Sequence, residues 1–322
     1  ATFFVFGVGF LYMATGTLNM ADLADRIENQ YDSRTVRAAF AFIMVGMGLK
    51  VAIFPLHLWL PNAYTYAPSA ITSFLAATAT KVAIYVMLRF LFSVFQPGFL
   101  AEVPTLDLIL YPFAILAMFA ASYTAILQRD LKRMLAYSSI GQVGYMLLGI
   151  ALLSESGLMA TMIHLFNHGI TKAALFMGVG VYVLNGGGSF YHNLRGRGKT
   201  MPWTSAAMVV AGLSLIGVPG TAGFLSKWLL VEATLDQGLW PIALLIVASS
   251  LLAVIYVWKL IETLYLAQPA EGLQDQNVPL MMMIPLWVMA LACIYFGFDT
   301  DITLSAARSA AEGLLAGSAG MR

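Results

Sequence analysis

The 322-residue chain has one cysteine, Cys293, and little charge: 17 lysines and arginines against 16 acids, together 10% of its residues. A single cysteine excludes an internal disulfide and any cysteine-ligated cluster or zinc site contained within the chain, so redox chemistry, where relevant, belongs to partners. A formal net charge of +1, with basic residues scattered near helix ends, carries no nucleic-acid signature. There is no signal-peptide pattern, and the chain opens on an apolar run at Ala1 without a methionine, so it is expected to begin partway through a larger unit. Signatures of covalent chemistry are missing too. "GTAGFLSK" lacks the spacing of a phosphate loop, and neither G-x-S-x-G nor paired catalytic carboxylates occur. The 18 methionines do not cluster with histidines and read as core packing rather than copper binding. No active site for covalent chemistry and no cofactor are expected in this chain.

What is present is apolar. Hydrophobic residues make up 60% of the chain, and the mean hydropathy is +0.81, well outside the soluble range. Apolar runs near the ~20 residues needed to cross a bilayer recur between polar or Pro/Gly-rich joints, predicting a polytopic all-α bundle. With every backbone group needing an internal partner and no alternating ten-residue segments, helices are favoured over a barrel. Nine spans are read, at about 2–19, 36–60, 68–94, 108–127, 131–153, 157–184, 202–235, 239–266 and 279–297. The joint from Asn19 to Arg37 is charged, Gly186 to Gly188 form a loop, and the tail from Phe298 to Arg322 suits a short amphipathic surface helix. Arg129, Lys132 and Arg133 share one side with Arg195, Arg197 and Lys199, which the positive-inside rule places in the cytoplasm. The opposite side carries Glu102, Asp107, Glu155, Asp236, Asp299 and Asp301, with Arg26, Arg34 and Arg37 interspersed among acids in the first joint.

Against this background several ionisable residues lie at bilayer depth, where each costs ~2.5 to 3.5 kcal/mol on insertion scales unless it faces a bundle interior or a wet cavity. Lys50 is in the second span, Lys81 in the third, and Lys227 in the seventh. In "HLFNHGITK", His164, His168 and Lys172 recur at i, i+4 and i+8 and form one stripe on a helix face. Two histidines and a lysine without a nearby carboxylate make a poor zinc site, so no metal is expected. Imidazoles exchange protons near neutral pH and a desolvated lysine amine can join them, so the stripe reads as a proton relay. Lys259, near a helix end with Glu262 on the same face, reads instead as a long stem reaching the interface or backbone carbonyls. For His57, in "FPLHLWLP", a structural bond to a freed carbonyl and a functional role both stand.

Two helices should be broken. "LIGVPGTAGFLSKWLL" places Gly217, Pro219 and Gly220 within a run that proline's missing donor and glycine's freedom interrupt, with Lys227 just beyond. "GLKVAIFPLHLWLP" pairs Lys50 with Pro55 in the same manner. Discontinuous helices expose backbone groups that suit a transported cation or proton and are tolerated where they line a cavity. Lys50 precedes Lys81 by 31 residues and Lys227 precedes Lys259 by 32, as a weak internal repeat would produce.

These segments, with "KVAIFPLHLWLPNAYTYAPSAITSFLAATATK", "LQRDLKRMLAYSSIGQVGYMLLGI" and "HLFNHGITKAALF", resemble the antiporter-like, proton-conducting membrane subunits of respiratory complex I, membrane-bound hydrogenases and Mrp-type cation/proton antiporters. The wording around Lys81, Gln142 and Lys227 is most similar to the D-type subunits of the Mrp group. The resemblance implies about fourteen helices built as two inverted repeats, each with a broken helix. Lys50 would match the lysine of the first broken helix, Lys81 the connecting lysine, His164, His168 and Lys172 the central row, and Lys227 the lysine of the second broken helix. In its terms residues 1–100 are the remainder of the first repeat, 101–270 the second repeat, and 271–322 a last span and tail. The family's first five helices, with a glutamate partner for Lys50, have no counterpart here, so upstream sequence or another chain is expected to supply them.

The expected function is that of a proton-translocating subunit of a multisubunit sodium/proton antiporter in the inner (cytoplasmic) membrane, partnered by other membrane subunits. The alternatives are a subunit of a redox-driven pump, an ion-coupled subunit for inorganic-carbon uptake, or a non-conducting scaffold, which the retained lysines and histidines disfavour.

Overall fold

A computed structural model of the chain describes residues 1–103, 105–186, 188–268 and 278–316, with the backbone alone for 105–108. Asp107 as a charge, the 270/271 repeat boundary and the tail beyond Ala316 fall outside the described residues. All elements described are helices, apart from one isolated antiparallel bridge between Asp130 and Phe190.

Helix ends fall where local chemistry ends them. α1 (Thr2–Thr15) stops at Gly16, whose left-handed φ of 72° lets its N–H bond Tyr12 O. This is earlier than the expected end near residue 19, because Asn19 instead caps a new amphipathic helix, α2 (Met20–Ile27), accepting from Ala21 and Asp22 N–H. Arg26 pairs with Asp22 and also donates to Thr15 O at 2.7 Å, folding the charged joint back onto the end of α1. The exposed Asp22 carboxyl is held below the usual carboxylate range mainly by that hydrogen bond from Arg26.

α3 (Arg34–Val51) ends at Ala52, and the chain passes through a non-helical stretch before α4 (Trp59–Tyr66). The span expected over 36–60 is therefore two half-helices around Pro55, with the second half running to Tyr66. The Phe54–Pro55 peptide is cis, and Trp59 Nε1 donates across the break to Leu49 O at 2.7 Å. α5 (Ser69–Leu88) continues through a π-helical stretch into α6 (Gln96–Glu102). α7 (Thr105–Leu116) passes through a second π-helical stretch into α8 (Ser122–Leu127).

The next two helices form the axis of the bundle. α9 (Leu131–Ala151) is buried along nearly its whole length, its polar Ser138, Ser139 and Gln142 included. α10 (Glu155–Leu184) touches α5, α9 and four later elements. After two short turns, α11 (Tyr191–Leu194) and α12 (Arg197–Thr200), come the halves of the second broken span, α13 (Pro202–Ile216) and α14 (Ala222–Asp236). α15 (Trp240–Ile261), α16 (Leu280–Phe298) and α17 (Asp301–Leu315) complete the fold. The tail helix is amphipathic, and its Ala307, Ala311 and Leu314 are buried.

Among the described residues five helical stretches are by themselves long and apolar enough to cross a membrane. The other four expected spans miss that standard for physical reasons. α1 is short and meets α2 at a 62° bend, two spans are broken, and α10 carries the polar stripe. The basic loops lie together at one end, joined by Leu131 N–H to Ser189 O and Tyr191 N–H to Arg129 O. At the other end Gln237 Nε2 donates to Leu152 O at 2.9 Å.

The buried apolar residues divide into two clusters. One contains Val143 to Leu152 of α9 and Leu158 and Ala160 of α10; the other contains Leu131 to Ile140 of α9 and Ala174 to Tyr182 of α10. His164 to Lys172 therefore sit in a polar layer between two apolar cores.

Candidate functional site

The second break is built by backbone geometry. Gly217 has φ of +89° and turns the chain out of α13, its N–H returning to Leu213 O. Gly223 lets the two halves close, because a Cβ there would lie 1.8 Å from Ser214 O. Pro219 and Gly220, the latter at φ +85°, carry the chain between them.

A helix C-terminus presents unpaired carbonyls and partial negative charge, which suits a cation. Lys227 supplies it, donating from α14 back to Ile216 O at 2.7 Å and Leu215 O at 3.1 Å. The same ammonium lies 4.9 Å from the centroid of the Tyr145 ring on α9. Tyr145 is fixed in turn by Ser249 Oγ, 2.6 Å from its hydroxyl.

Around Lys227 the polar stripe of α10 closes the layer. His164 and His168 stack at 6.2 Å between ring centroids, and His164 lies 5.6 Å from the Tyr145 ring. His164 Nδ1 is 2.8 Å from Ser226 Oγ, while His164 Nε2 and both ring nitrogens of His168 are buried without a protein partner. Lys172, fully buried, donates to Leu135 O at 2.8 Å and to Ser138 Oγ. Lys81 is buried on α5, donates to Ala76 O, and lines an apolar groove of about 880 Å³ between α5, α10 and α16.

The buried ionisable row thus contains three lysines and two histidines, and neither salt bridge found among the described residues involves any of them. The ammonium groups rest on backbone carbonyls, hydroxyls and an aromatic face, neutral partners from which a proton can be lost without stranding a buried carboxylate. No group of three His, Cys, Asp or Glu side chains among the described residues is arranged to hold a metal ion.

Other expected site residues lie elsewhere. Lys50 is exposed on α3 and is not brought into the row. His57 is buried in the first break, stacked on Phe54 at 5.0 Å, with Nδ1 lacking a side-chain partner. Lys259 donates to Ile126 O and Gln128 O, capping the end of α8, while Glu262 is exposed and forms no salt bridge with it. Lys132, from the basic loop, likewise reaches Ala67 O just beyond α4.

A second set of residues carries no obvious signal in the sequence. Asn167 Nδ2 donates to Ala222 O at 2.6 Å, and Thr171 Oγ1 lies 3.0 Å from Ser214 Oγ. With His164 they stand at i, i+3 and i+7, a second stripe on α10 that holds both halves of the broken span.

The profile of the family described as NADH:quinone oxidoreductase/Mrp antiporter, TM matches residues 1–253. NADH-quinone oxidoreductase subunit N of Desulforudis audaxviator is 39% identical over 318 residues, covering 95% of this chain and 63% of that protein. The D-type subunit of the Na(+)/H(+) antiporter of Alkalihalophilus pseudofirmus is 31% identical over 301 residues, covering 92% and 60%. A chain of the archaeal membrane-bound sulfane sulfur reductase, a respiratory membrane complex, superposes with a TM-score of 0.88 at 33% identity, covering 99% of this chain and 64% of that one. The chain spans less than two thirds of the length of each.

Proposed function

The chain belongs to the NADH:quinone oxidoreductase/Mrp antiporter transmembrane family, and from that premise we propose that it translocates protons along the buried lysine–histidine row as a membrane subunit of a multisubunit cation(Na+)/proton antiporter. The observation that carries the reading is the row itself: Lys81, Lys172 and Lys227 buried with His164 and His168 in one layer between two apolar cores. Burying three cations without an acid is costly unless each can shed its proton. The histidines, with open ring nitrogens and bridging water, pass protons between the lysines. A charge arriving at one amine lowers the proton affinity of the next, so the row operates as a coupled set.

In this reading Lys50 serves the first broken helix, and its exposed face on α3 is covered by upstream helices or by another subunit that brings a carboxylate. The partners are other membrane subunits in the inner membrane, with the Arg129 to Arg133 and Arg195 to Lys199 loops in the cytoplasm. A second reading, a proton-pumping subunit of a redox complex, is favoured by the 39% identity to an NADH-quinone oxidoreductase subunit.

Purification of the native assembly in mild detergent, with identification of every chain and cofactor, separates the two. Small membrane subunits without flavin or iron–sulfur proteins support the antiporter; their presence moves the same row into a redox pump. In either assembly, retention of proton movement by vesicles carrying Lys227→Ala would sink the proton-path reading.

A further inference from the structure

The broken span is held together by two kinds of bond. Across the break itself, Lys227 ties α14 to Leu215 O and Ile216 O, and Gly223 N–H makes a long 3.3 Å contact to Ser214 Oγ. From α10, Thr171 meets Ser214 on the first half, while His164 and Asn167 meet Ser226 and Ala222 on the second. These ties differ chemically. The Lys227 bonds are charge-assisted only while the amine is protonated; the neutral amine keeps two N–H donors but holds the same carbonyls more weakly. The His164 bond changes character with the tautomer and charge of the ring. Asn167 offers an amide that does not titrate, and its orientation is settled by its partner: Ala222 O can only accept, so the NH2 group faces it. Asn167 Oδ1 is left buried without a partner, an arrangement the site retains although an apolar side chain would avoid it.

We propose that Asn167 is a positioning residue of the proton path, keeping α14 docked on α10 while the Lys227 amine is released from the Leu215 and Ile216 carbonyls. The inference rests on the reading of Lys227 as a proton-carrying site. Each time Lys227 gives up its proton the direct tie weakens, and the lips of the break would part if nothing else held them. Asn167 makes the seat of Lys227 survive that half of the cycle, so the returning proton finds the amine in the same place. The groups facing Lys227 are Tyr145 on α9, His164 and His168 on α10, and the α13 carbonyls; Tyr256 of α15 stands near Tyr145, and Cys293 of α16 near Thr171. A substitution at Asn167 changes the chemistry of none of them, so an altered pH response reports the lost tie.

The test uses the complete native assembly in vesicles, with Asn167→Leu, Asn167→Thr and Asn167→Gln. The leucine and threonine variants are expected to lower the maximal rate of proton movement at least threefold and to move the alkaline limb of its pH profile downward by about half a unit, roughly a threefold loss of proton affinity, because a break free to open when the amine is neutral favours the neutral form. Glutamine, which keeps the NH2 donor, is expected to restore part of both. A second readout is independent of transport: labelling of Ile216→Cys by a water-soluble maleimide, normalised to denatured protein. With Asn167 present the labelling should be flat with pH; with leucine or threonine it should rise at least threefold on the alkaline side. If leucine prevents assembly, threonine carries the same comparison. Unchanged labelling and an unmoved pH profile, with only the amount of assembled complex reduced, would overturn the proposal by making Asn167 a packing residue. A complex that moves no protons but shows the labelling change would instead remove the proton-path reading and leave the latch standing.

Discussion

Lys227 and Ile216, on opposite sides of the break between α13 and α14, are joined by a 2.7 Å hydrogen bond from the ammonium to the carbonyl oxygen. The bond does two things at once: it neutralises the exposed C-terminus of a half-helix and holds a cation in the polar layer. Favourable, partly buried helix-end cations contribute up to ~2 kcal/mol, and carbonyls left unpaired in a buried site cost ~1–3 kcal/mol. Lys227→Ala should therefore cut proton movement at least tenfold and lower the melting temperature of the assembly, whereas Lys227→Arg should keep most of the stability while transport still falls. Vesicle assays and thermal melts of the same preparations check both; an alanine variant as stable as the parent would show that the carbonyls find another donor.

Gly223 should be intolerant of any side chain. A methyl group there meets the backbone of Ser214, which cannot step aside as a flexible side chain can. Gly223→Ala should cost more than the ~1–3 kcal/mol typical of overpacking, visible as loss of assembled complex. Gly9→Ala and Gly313→Ala, with nothing near the added carbon, are the controls and should assemble normally.

Lys259 and Lys81 are both lysines on membrane helices, yet they should fail in different ways. Lys259 caps the carbonyls of Ile126 and Gln128, so Lys259→Met should destabilise by ~1–3 kcal/mol while each assembled complex keeps its rate. Lys81, within the row, should show the reverse on change to methionine: little loss of assembly, since the cost of a buried cation is removed, and transport reduced at least tenfold. Rates normalised to complex content, measured beside melting temperatures, distinguish the two.

Lys50 should be chemically reactive or protected according to what covers α3. In the native assembly it should resist a water-soluble amine reagent, and in the detergent-separated chain it should react, as peptide mass mapping would record. Equal reactivity in both would show that nothing in the assembly covers this face.

Much of this was legible in the residues. Gly217, Pro219 and Gly220 announce a break because their effect on the backbone is local, and Pro55 does the same for the earlier span. The stripe of His164, His168 and Lys172 was readable because side chains four apart share a helix face whatever surrounds the helix. The end of the first span was not, since Asn19 and Gly16 act as caps only in the backbone conformations that the joint adopts. The π-helical stretches within the third, fourth and eighth spans also left no trace in periodicity.

By itself, then, the amino-acid sequence determined an apolar all-helical membrane chain, two interruptions, and a set of ionisable residues too costly to bury without purpose. Only the tertiary structure decided what each of them meets: Lys227 on the carbonyls of its own broken span, Lys172 against α9, Lys259 at the end of α8, Lys50 facing outward, and Asn167 as the tie between α10 and α14. The division has a physical basis. Backbone propensity and helical periodicity act over a few residues, whereas the partner of a long or buried polar side chain is chosen by the packing of helices far apart in the chain.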